Sequence, residues 1–127
     1  MKRLLLKLSG ETLLGGQRFG VNQEACQALA LTIKTFKDAG HEIALVIGGG
    51  NIFRGLHLKG LGMQRTPADH MGMLATLING VALQQALEVV GCPAKLMSAL
   101  ECPRVAETYH WAHAQEYLSE GQVIVFV

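Results

Sequence analysis

Short apolar segments alternate with longer amphipathic segments along this chain, and this order constrains the fold more than any other feature. The short segments are rich in Leu, Ile and Val and predict buried strands at 3–8, 42–47, 94–99 and 122–127. The longer segments show apolar residues three or four apart and predict helices at 22–39, 66–90 and 110–119. Because parallel strands need crossover connections, this order predicts an α/β fold with a mainly parallel sheet covered on both faces.

Composition excludes several classes of protein. Of the 127 residues, 50% are hydrophobic and 17% are charged, and the formal net charge is only +1. A dedicated nucleic-acid binder usually carries a basic stripe, which is missing from this sequence. No apolar run approaches the roughly 20 residues of a membrane span, and Lys7 interrupts the leucines that could suggest a secretory signal. We expect a cytoplasmic protein with neither nucleic acid nor membrane as a partner.

The cysteines and histidines do not form a recognisable metal site. Cys26, Cys92 and Cys102 are odd in number and have no CxxC spacing, so we expect small buried hydrophobic residues rather than disulfides or zinc ligands. The five histidines also fit no usual zinc spacing. The sequence therefore predicts no metal ligands from the protein.

A turn made only of glycine, Gly48 to Gly50, ends the second predicted strand. Phosphate binding needs approachable backbone N–H groups and fixed cations, which this turn, Lys7 and Arg54 could supply. The carboxyl ends of parallel strands meet at one edge, so we expect residues 7–10 and 48–54 to converge there. The spacing fits neither a P-loop nor a Rossmann fingerprint. An anion site is the favoured interpretation, and a simple tight turn is the alternative.

The third predicted helix begins with Thr66 as N-cap, Pro67 at the first helical position and Asp69 at the third. On spacing alone we expect the Asp69 carboxylate to cap free N–H groups, with a contact to ribose hydroxyls as the alternative. Gly72 and Gly80 lie inside this helix and indicate the close approach of another segment. Its apolar stripe indicates core or a subunit contact and comprises Met71, Met73, Leu74 and Leu77.

Three segments together resemble bacterial uridylate (UMP) kinases. They are KLSGE at 7–11, VIGGGNIFRG at 46–55 and DHMGMLATLING at 69–80. GGGN is shared across the amino-acid kinase superfamily, which includes aspartate, glutamate and carbamate kinases, whereas the DHMGMLAT block is typical of the uridylate kinase branch. The resemblance covers nearly the whole chain. It implies a three-layer α/β/α sandwich with a mainly parallel sheet, assembled as a homohexamer.

The resemblance also implies an activity and a set of site residues. Enzymes of this family transfer the γ-phosphoryl group of MgATP to UMP, giving UDP and ADP, and Mg²⁺ enters with the ATP. By similarity, the ATP-binding positions are Lys7, Ser9, Gly10, Gly50 and Arg54, and the UMP-binding positions are Gly49 and Asp69. Lys7 and Arg54 are the expected catalytic cations. For Asp69, the resemblance favours UMP contact over capping.

Relatives continue past the strand at 122–127 into a loop that encloses UMP and into the base half of the ATP site. We therefore expect residues 1–127 to be the amino-terminal portion of a single, apparently truncated amino-acid kinase-like domain that is inactive alone. The alternatives are another amino-acid kinase, acting on a carboxylate or carbamate, and a non-catalytic module that binds nucleotide or joins an oligomer through residues 71–83.

GTP activates many relatives, and two features match their effector region: the loop at 15–20 and Trp111. However, Gln84 and Glu88 stand where GTP-responsive relatives tend to carry basic residues. We therefore do not expect a GTP effector.

Overall fold

The computed structural model describes residues 1–53 and 62–127. Its strands are β1 (Arg3–Leu8), β2 (Glu42–Ile47), β3 (Ala94–Ser98), β4 (Glu107–Thr108) and β5 (Val123–Phe126). Its α-helices are α1 (Gln23–Asp38), α2 (Gly50–Phe53), α3 (Arg65–Val89) and α4 (Trp111–Ser119), and a short 3₁₀ helix spans Gly10–Leu13. None of the helices in these two ranges is long and apolar enough to cross a membrane.

The strands form one sheet in the order β1-β2-β5-β3-β4, and every neighbouring pair is parallel. This confirms the predicted parallel sheet and its four predicted strands. The fifth strand, β4, was not predicted, because two residues beside Met97 and Ser98 are too few to show a period.

Helices cover both faces of the sheet. In β2, Ile43, Leu45 and Ile47 are almost fully buried against the core beneath α1 and α3. The alternate residue Ala44 packs on the other face, in a smaller cluster with Leu118 of α4. Successive strand residues thus point to opposite layers, as the pleat requires. The three-layer α/β/α sandwich is confirmed.

Helix α1 begins and ends where the sequence predicts. The side-chain oxygen of Asn22 accepts a hydrogen bond from the Ala25 N–H at 2.8 Å, as an N-cap residue should. Gly40, just after the helix, has a φ of +95°, a value that glycine adopts without strain. Cys26 on this helix and Cys92 are buried, and burial raises the pKa of both thiols. Their predicted role as small buried hydrophobic residues is confirmed, whereas Cys102 is only half-buried.

The predicted start of α3 is wrong. The helix begins at Arg65, and its N-cap is Gln64, which makes no side-chain capping hydrogen bond. Thr66 is therefore inside the helix, and Pro67 is its third residue rather than its first. Proline is tolerated there because the first N–H groups of a helix have no intrahelical acceptor.

Farther along α3, another segment approaches Gly80 closely, as the sequence predicts. A Cβ at this position would lie 2.6 Å from a methyl group of Leu96 and 2.7 Å from one of Val127. The lack of a side chain at Gly80 therefore lets α3 lie directly on the sheet.

Candidate phosphate-binding site

The ends of β1 and β2 lie side by side at one edge of the sheet. Leu8 pairs with Ile47 in the strand register, and the Gly48 N–H donates to the Leu8 carbonyl at 3.0 Å. Immediately beyond, a Cβ on Gly10 would lie 2.8 Å from the Gly48 carbonyl oxygen. The residues that follow β1 and β2 therefore meet, as the sequence predicts.

The three glycines of the turn have different surroundings. The Gly48 carbonyl points into the protein, where the side-chain amide of Asn79 donates to it at 2.6 Å. Gly49 packs on α3, since a Cβ there would lie 2.8 Å from the Ala75 Cβ. Gly50 is exposed, and a Cβ there would have no neighbour within 4 Å. The turn is thus fixed on its inner side and open on its outer side.

A pair of buried amides lies beneath the turn. Asn51 and Asn79 are both 0% exposed and hydrogen bond to each other reciprocally, at 3.0 Å and 2.7 Å. The Asn51 amide also donates to the carbonyl of Gly20 at 2.9 Å, and the Gly20 N–H donates back to the Asn51 carbonyl. This Asn51–Asn79 pair joins the turn, the 15–20 loop and helix α3.

Two backbone donors remain available on the outer side of the turn. Within residues 1–53 and 62–127, the N–H groups of Gly49 and Gly50 have no hydrogen-bond acceptor. Gly49 is half-buried and Gly50 is exposed, so an anion could reach both. Successive unpartnered N–H groups in a turn form the kind of concavity that binds phosphate oxygens.

Lys7 is a positive charge near the end of β1, beside the strand that leads into this turn. Its β1 position pairs with Val46, two residues before Gly48. The Lys7 side chain is exposed, and within the described ranges it forms no ion pair. It lies on the opposite sheet face from Leu6 and Leu8, which pack on the core beneath α1 and α3. Lys7 is therefore free to pair with a bound anion.

Ser9 lies between Lys7 and the buried Gly10, where its side chain caps the 3₁₀ helix. Its hydroxyl oxygen accepts from the Glu11 N–H at 3.2 Å, and its carbonyl accepts from the Thr12 hydroxyl at 2.7 Å. These bonds fix the chain direction just after β1. Gly10 thus lies beside the glycine turn, and the ATP-binding role of Ser9 and Gly10 stays a prediction.

Asp69 is exposed near the start of α3 and does not cap the helix. Its carboxylate faces the Arg65 guanidinium at 3.7 Å, with 67% of the Asp69 side chain accessible. The capping interpretation is therefore wrong, because Asp69 is the fifth residue of the helix and lies beyond its free N–H groups. Asp69 is seven residues before Thr76, whose N–H lies beside Gly49. Seven residues are close to two full helical turns, so Asp69 lies on the side of α3 that faces the glycine turn. Its distance from Thr76 along the helix axis is about 10 Å.

Arg54, the second predicted cation, lies outside the described residues, and its role stays a prediction. Asn79 was not predicted as a site residue from the sequence, and Asn51 was given no separate role. A signal for Asn79 was present, because a polar amide followed by Gly80 interrupts an otherwise apolar part of α3.

A model of the amino acid kinase family matches residues 2–127. The chain belongs to the amino acid kinase family. It is 58% identical over 126 residues to a uridylate kinase of Protochlamydia amoebophila, covering 99% of this chain and 50% of that protein. It is 47% identical to a uridylate kinase of Psychromonas ingrahamii, covering 98% of this chain and 50% of that protein. The chain thus spans about half the length of the curated relatives it matches.

Solved structures give the same family relationship. The UMP kinase from Bacillus anthracis superposes with a TM-score of 0.90 at 34% identity, covering 98% of this chain and 51% of that structure. The UMP kinase from Ureaplasma parvum also superposes with a TM-score of 0.90, at 32% identity, covering 99% of this chain and 53% of that structure. An aspartate kinase from Synechocystis gives 0.66 at 20% identity and shares the fold alone. The resemblance to uridylate kinases, over an amino-terminal half, is confirmed.

Proposed function

We propose that this amino acid kinase chain is the phosphate-binding half of a cytoplasmic UMP kinase, which transfers the γ-phosphoryl group of MgATP to UMP. The observation that carries the proposal is the pair of N–H groups at Gly49 and Gly50, which have no acceptor among the described residues and lie beside the strand end that carries Lys7. The names of the relatives, uridylate kinases at up to 58% identity, support the choice of substrate.

Phosphoryl transfer depends mainly on positioning and on neutralising charge spread over oxygens, and it needs no covalent nucleophile from the protein. Lys7 would neutralise charge on the ATP phosphates, and Arg54 would supply a second cation. Backbone N–H groups of Gly50 and Gly10 would orient the same phosphates, together with the Ser9 hydroxyl.

On the UMP side, the Gly49 N–H would bind phosphate and the Asp69 carboxylate would accept hydrogen bonds from ribose hydroxyls. Their separation of about 10 Å along α3 suits a ligand that has a phosphate at one end and a sugar beyond it. The exposure of Asp69 leaves its carboxylate open to such a ligand.

We propose that Mg²⁺ is carried by the ATP phosphates rather than by a cage of protein ligands. In residues 1–53 and 62–127, no three His, Cys, Asp or Glu side chains lie close enough together to hold a metal ion. Mg²⁺ commonly keeps several waters and binds substrate phosphates with only one or two protein carboxylates. A site in which the ATP phosphates and water supply most of the ligands therefore fits Mg²⁺. When bound, the ion would neutralise phosphate charge beside Lys7.

The experiment that tests the proposal measures UDP formation from UMP and MgATP. The 127-residue chain would be compared with the same chain joined to the carboxyl-terminal half of the Protochlamydia relative. We expect the joined protein to form UDP and the chain alone to form none. UDP formation by the chain alone would refute the proposal that its activity needs the second half. A folded joined protein that phosphorylates aspartate or carbamate instead of UMP would refute the proposal that UMP is the substrate.

A second candidate is a non-catalytic module that associates with copies of itself. Helix α3 exposes three large apolar side chains at helical spacing, Leu74, Ile78 and Val81, which are 49%, 51% and 41% accessible. Such a stripe is typical of a subunit contact, and we propose that it also joins the subunits of the kinase as a homo-oligomer. Calorimetric titration with MgATP and UMP separates the two candidates, because a pure association module would show no saturable heat.

A further inference from the structure

We propose that Asn79 is a positioning residue for phosphate binding: it holds the Gly48 carbonyl so that the Gly49 N–H points at the nucleotide. This inference rests on the proposed function and adds a residue to it. Asn79 is on α3, 31 residues from Gly48 along the chain, and is fully buried. It cannot touch a nucleotide, so any effect on binding must pass through the turn.

The geometry of the peptide bond links Asn79 to the Gly49 amide. The Gly48–Gly49 peptide is trans, so its C=O and N–H point in opposite directions. The Asn79 amide donates to this C=O at 2.6 Å from inside the protein. The N–H of the same peptide must then point outward, where no described residue accepts from it. One buried hydrogen bond thus sets the direction of a free donor.

The bonding of the pair explains why an amide is needed at position 79. One hydrogen of the Asn79 amide goes to Gly48 and the other to the Asn51 side chain, while its oxygen accepts from Asn51. Carboxylates only accept and apolar side chains do neither, so each would remove the side-chain donor from the half-buried Gly48 carbonyl. Asn51 extends the same network to Gly20.

Close packing prevents the turn from relaxing in another direction. A Cβ on Gly10 would overlap the Asn51 side-chain oxygen and would lie 3.1 Å from the Asn79 amide nitrogen. On the α3 side, Gly49 lies against Ala75. A turn that is fixed before the ligand arrives need not reorganise on binding, and this preorganisation is what makes backbone donors effective.

The test replaces Asn79 by aspartate, which has nearly the same shape but no N–H donors at neutral pH. We expect Asn79→Asp to weaken UMP binding by about tenfold at pH 8, measured by calorimetry on the folded chain, because the Gly49 N–H is the proposed donor to the UMP phosphate. Lowering the pH should restore affinity in part, because the protonated carboxyl again has one donor. Burial raises its pKa and brings this recovery into an accessible range. The unsubstituted chain, titrated at each pH, gives the reference affinity.

The matched control is Ser98→Ala. Ser98 is also buried and accepts from the Leu100 N–H at 3.0 Å, but it does not contact the turn. Its loss should lower the melting temperature and leave UMP affinity within about twofold, as expected for one hydrogen bond lost elsewhere. If Asn79→Asp does not fold, Asn79→Ser, which keeps one donor, replaces it, and we expect a smaller loss of affinity. UMP affinity that matches the Ser98→Ala control in the folded variant would overturn the proposal.

A second measurement separates this inference from the proposed function. The ¹H–¹⁵N signal of Gly49, recorded without nucleotide, should shift with pH in Asn79→Asp as the introduced carboxyl titrates, and should stay constant in the unsubstituted chain. If the chain joined to the carboxyl-terminal half of the Protochlamydia relative forms no UDP, the kinase proposal fails, and the Gly49 signal still decides the positioning role. A Gly49 signal that is unaffected by the substitution overturns it.

Discussion

The glycine turn at 48–50 and the start of α3 both belong to the proposed site, but the fold holds them very differently. Beneath the turn lie the two buried asparagines, and every hydrogen of their side-chain amides is bonded. At the start of α3, Asp69 has one exposed ion pair, with Arg65 at 3.7 Å, and the N-cap residue makes no side-chain hydrogen bond.

This difference shows how far this chain forms the proposed site. The proposed phosphate-binding groups are fixed by the β1–β2 edge and by α3, all of which lie within this chain. The Asp69 carboxylate, which we propose faces UMP, is carried by an exposed helix start, and few contacts of the described residues hold it. We infer that the chain preforms phosphate binding and leaves the ribose contact of Asp69 to be completed by contacts outside the described residues.

The largest expected effect is that of Lys7→Ala on turnover. Loss of the ammonium should lower the turnover of the chain joined to the carboxyl-terminal half of the Protochlamydia relative by about 10²–10³-fold, as for other groups that neutralise developing charge. Unfolding free energy should hardly change, because Lys7 is exposed and unpaired within the described residues. Steady-state kinetics and chemical denaturation measure both, and unchanged turnover would remove Lys7 from the mechanism.

Next in size is the effect of Gly10→Ala on stability. The added methyl group would overlap Asn51 and would lie 2.8 Å from the Gly48 carbonyl, and neither neighbour is free to move. We expect the free energy of unfolding to fall by about 1–3 kcal/mol. Gly16→Ala is the control, since its Cβ would have no neighbour within 4 Å. Equal stability of the two variants would show that the turn is not held as described.

Gly50→Ala should separate binding from folding. A Cβ at Gly50 would meet nothing within 4 Å, and the residue has no positive φ, so the free energy of unfolding should stay within about 1 kcal/mol. The methyl group would obstruct an approaching phosphate, and we expect MgATP affinity to fall by about tenfold, comparable to the loss of a charged hydrogen bond. Unaltered affinity in calorimetry would place the phosphates elsewhere.

The smallest effect should be that of Arg65→Ala on stability, at the start of α3. Its ion pair with Asp69 is exposed, and such pairs contribute little, so stability should change by at most about 0.5 kcal/mol. Thermal unfolding in low and moderate salt measures it. A larger loss would mean that the start of α3 is held more firmly than its contacts indicate.

Local patterns in the sequence predicted much of this fold. Apolar runs gave the long strands, and Asn22 and Gly40 marked the limits of α1 because capping depends on neighbouring residues. The start of α3 was misplaced because Thr66 and Pro67 are compatible with several positions in a first turn.

The site was only partly predictable. The convergence of Gly10 and Gly48 followed from the parallel sheet, in which consecutive strands end at the same edge. The Asn51–Asn79 pair did not follow, because its members are 28 residues apart and meet only through the packing of α3 on the turn. No local spacing encodes such a contact.

The most direct test of the account is a pair of ¹H–¹⁵N titrations of the 127-residue chain, one with MgATP and one with UMP. We predict a saturable shift of the Gly50 amide signal with MgATP and of the Gly49 amide signal with UMP, with much smaller changes at Asp69. Saturable shifts elsewhere, with the Gly49 and Gly50 signals unmoved, would contradict the claim that these free amides bind the phosphates.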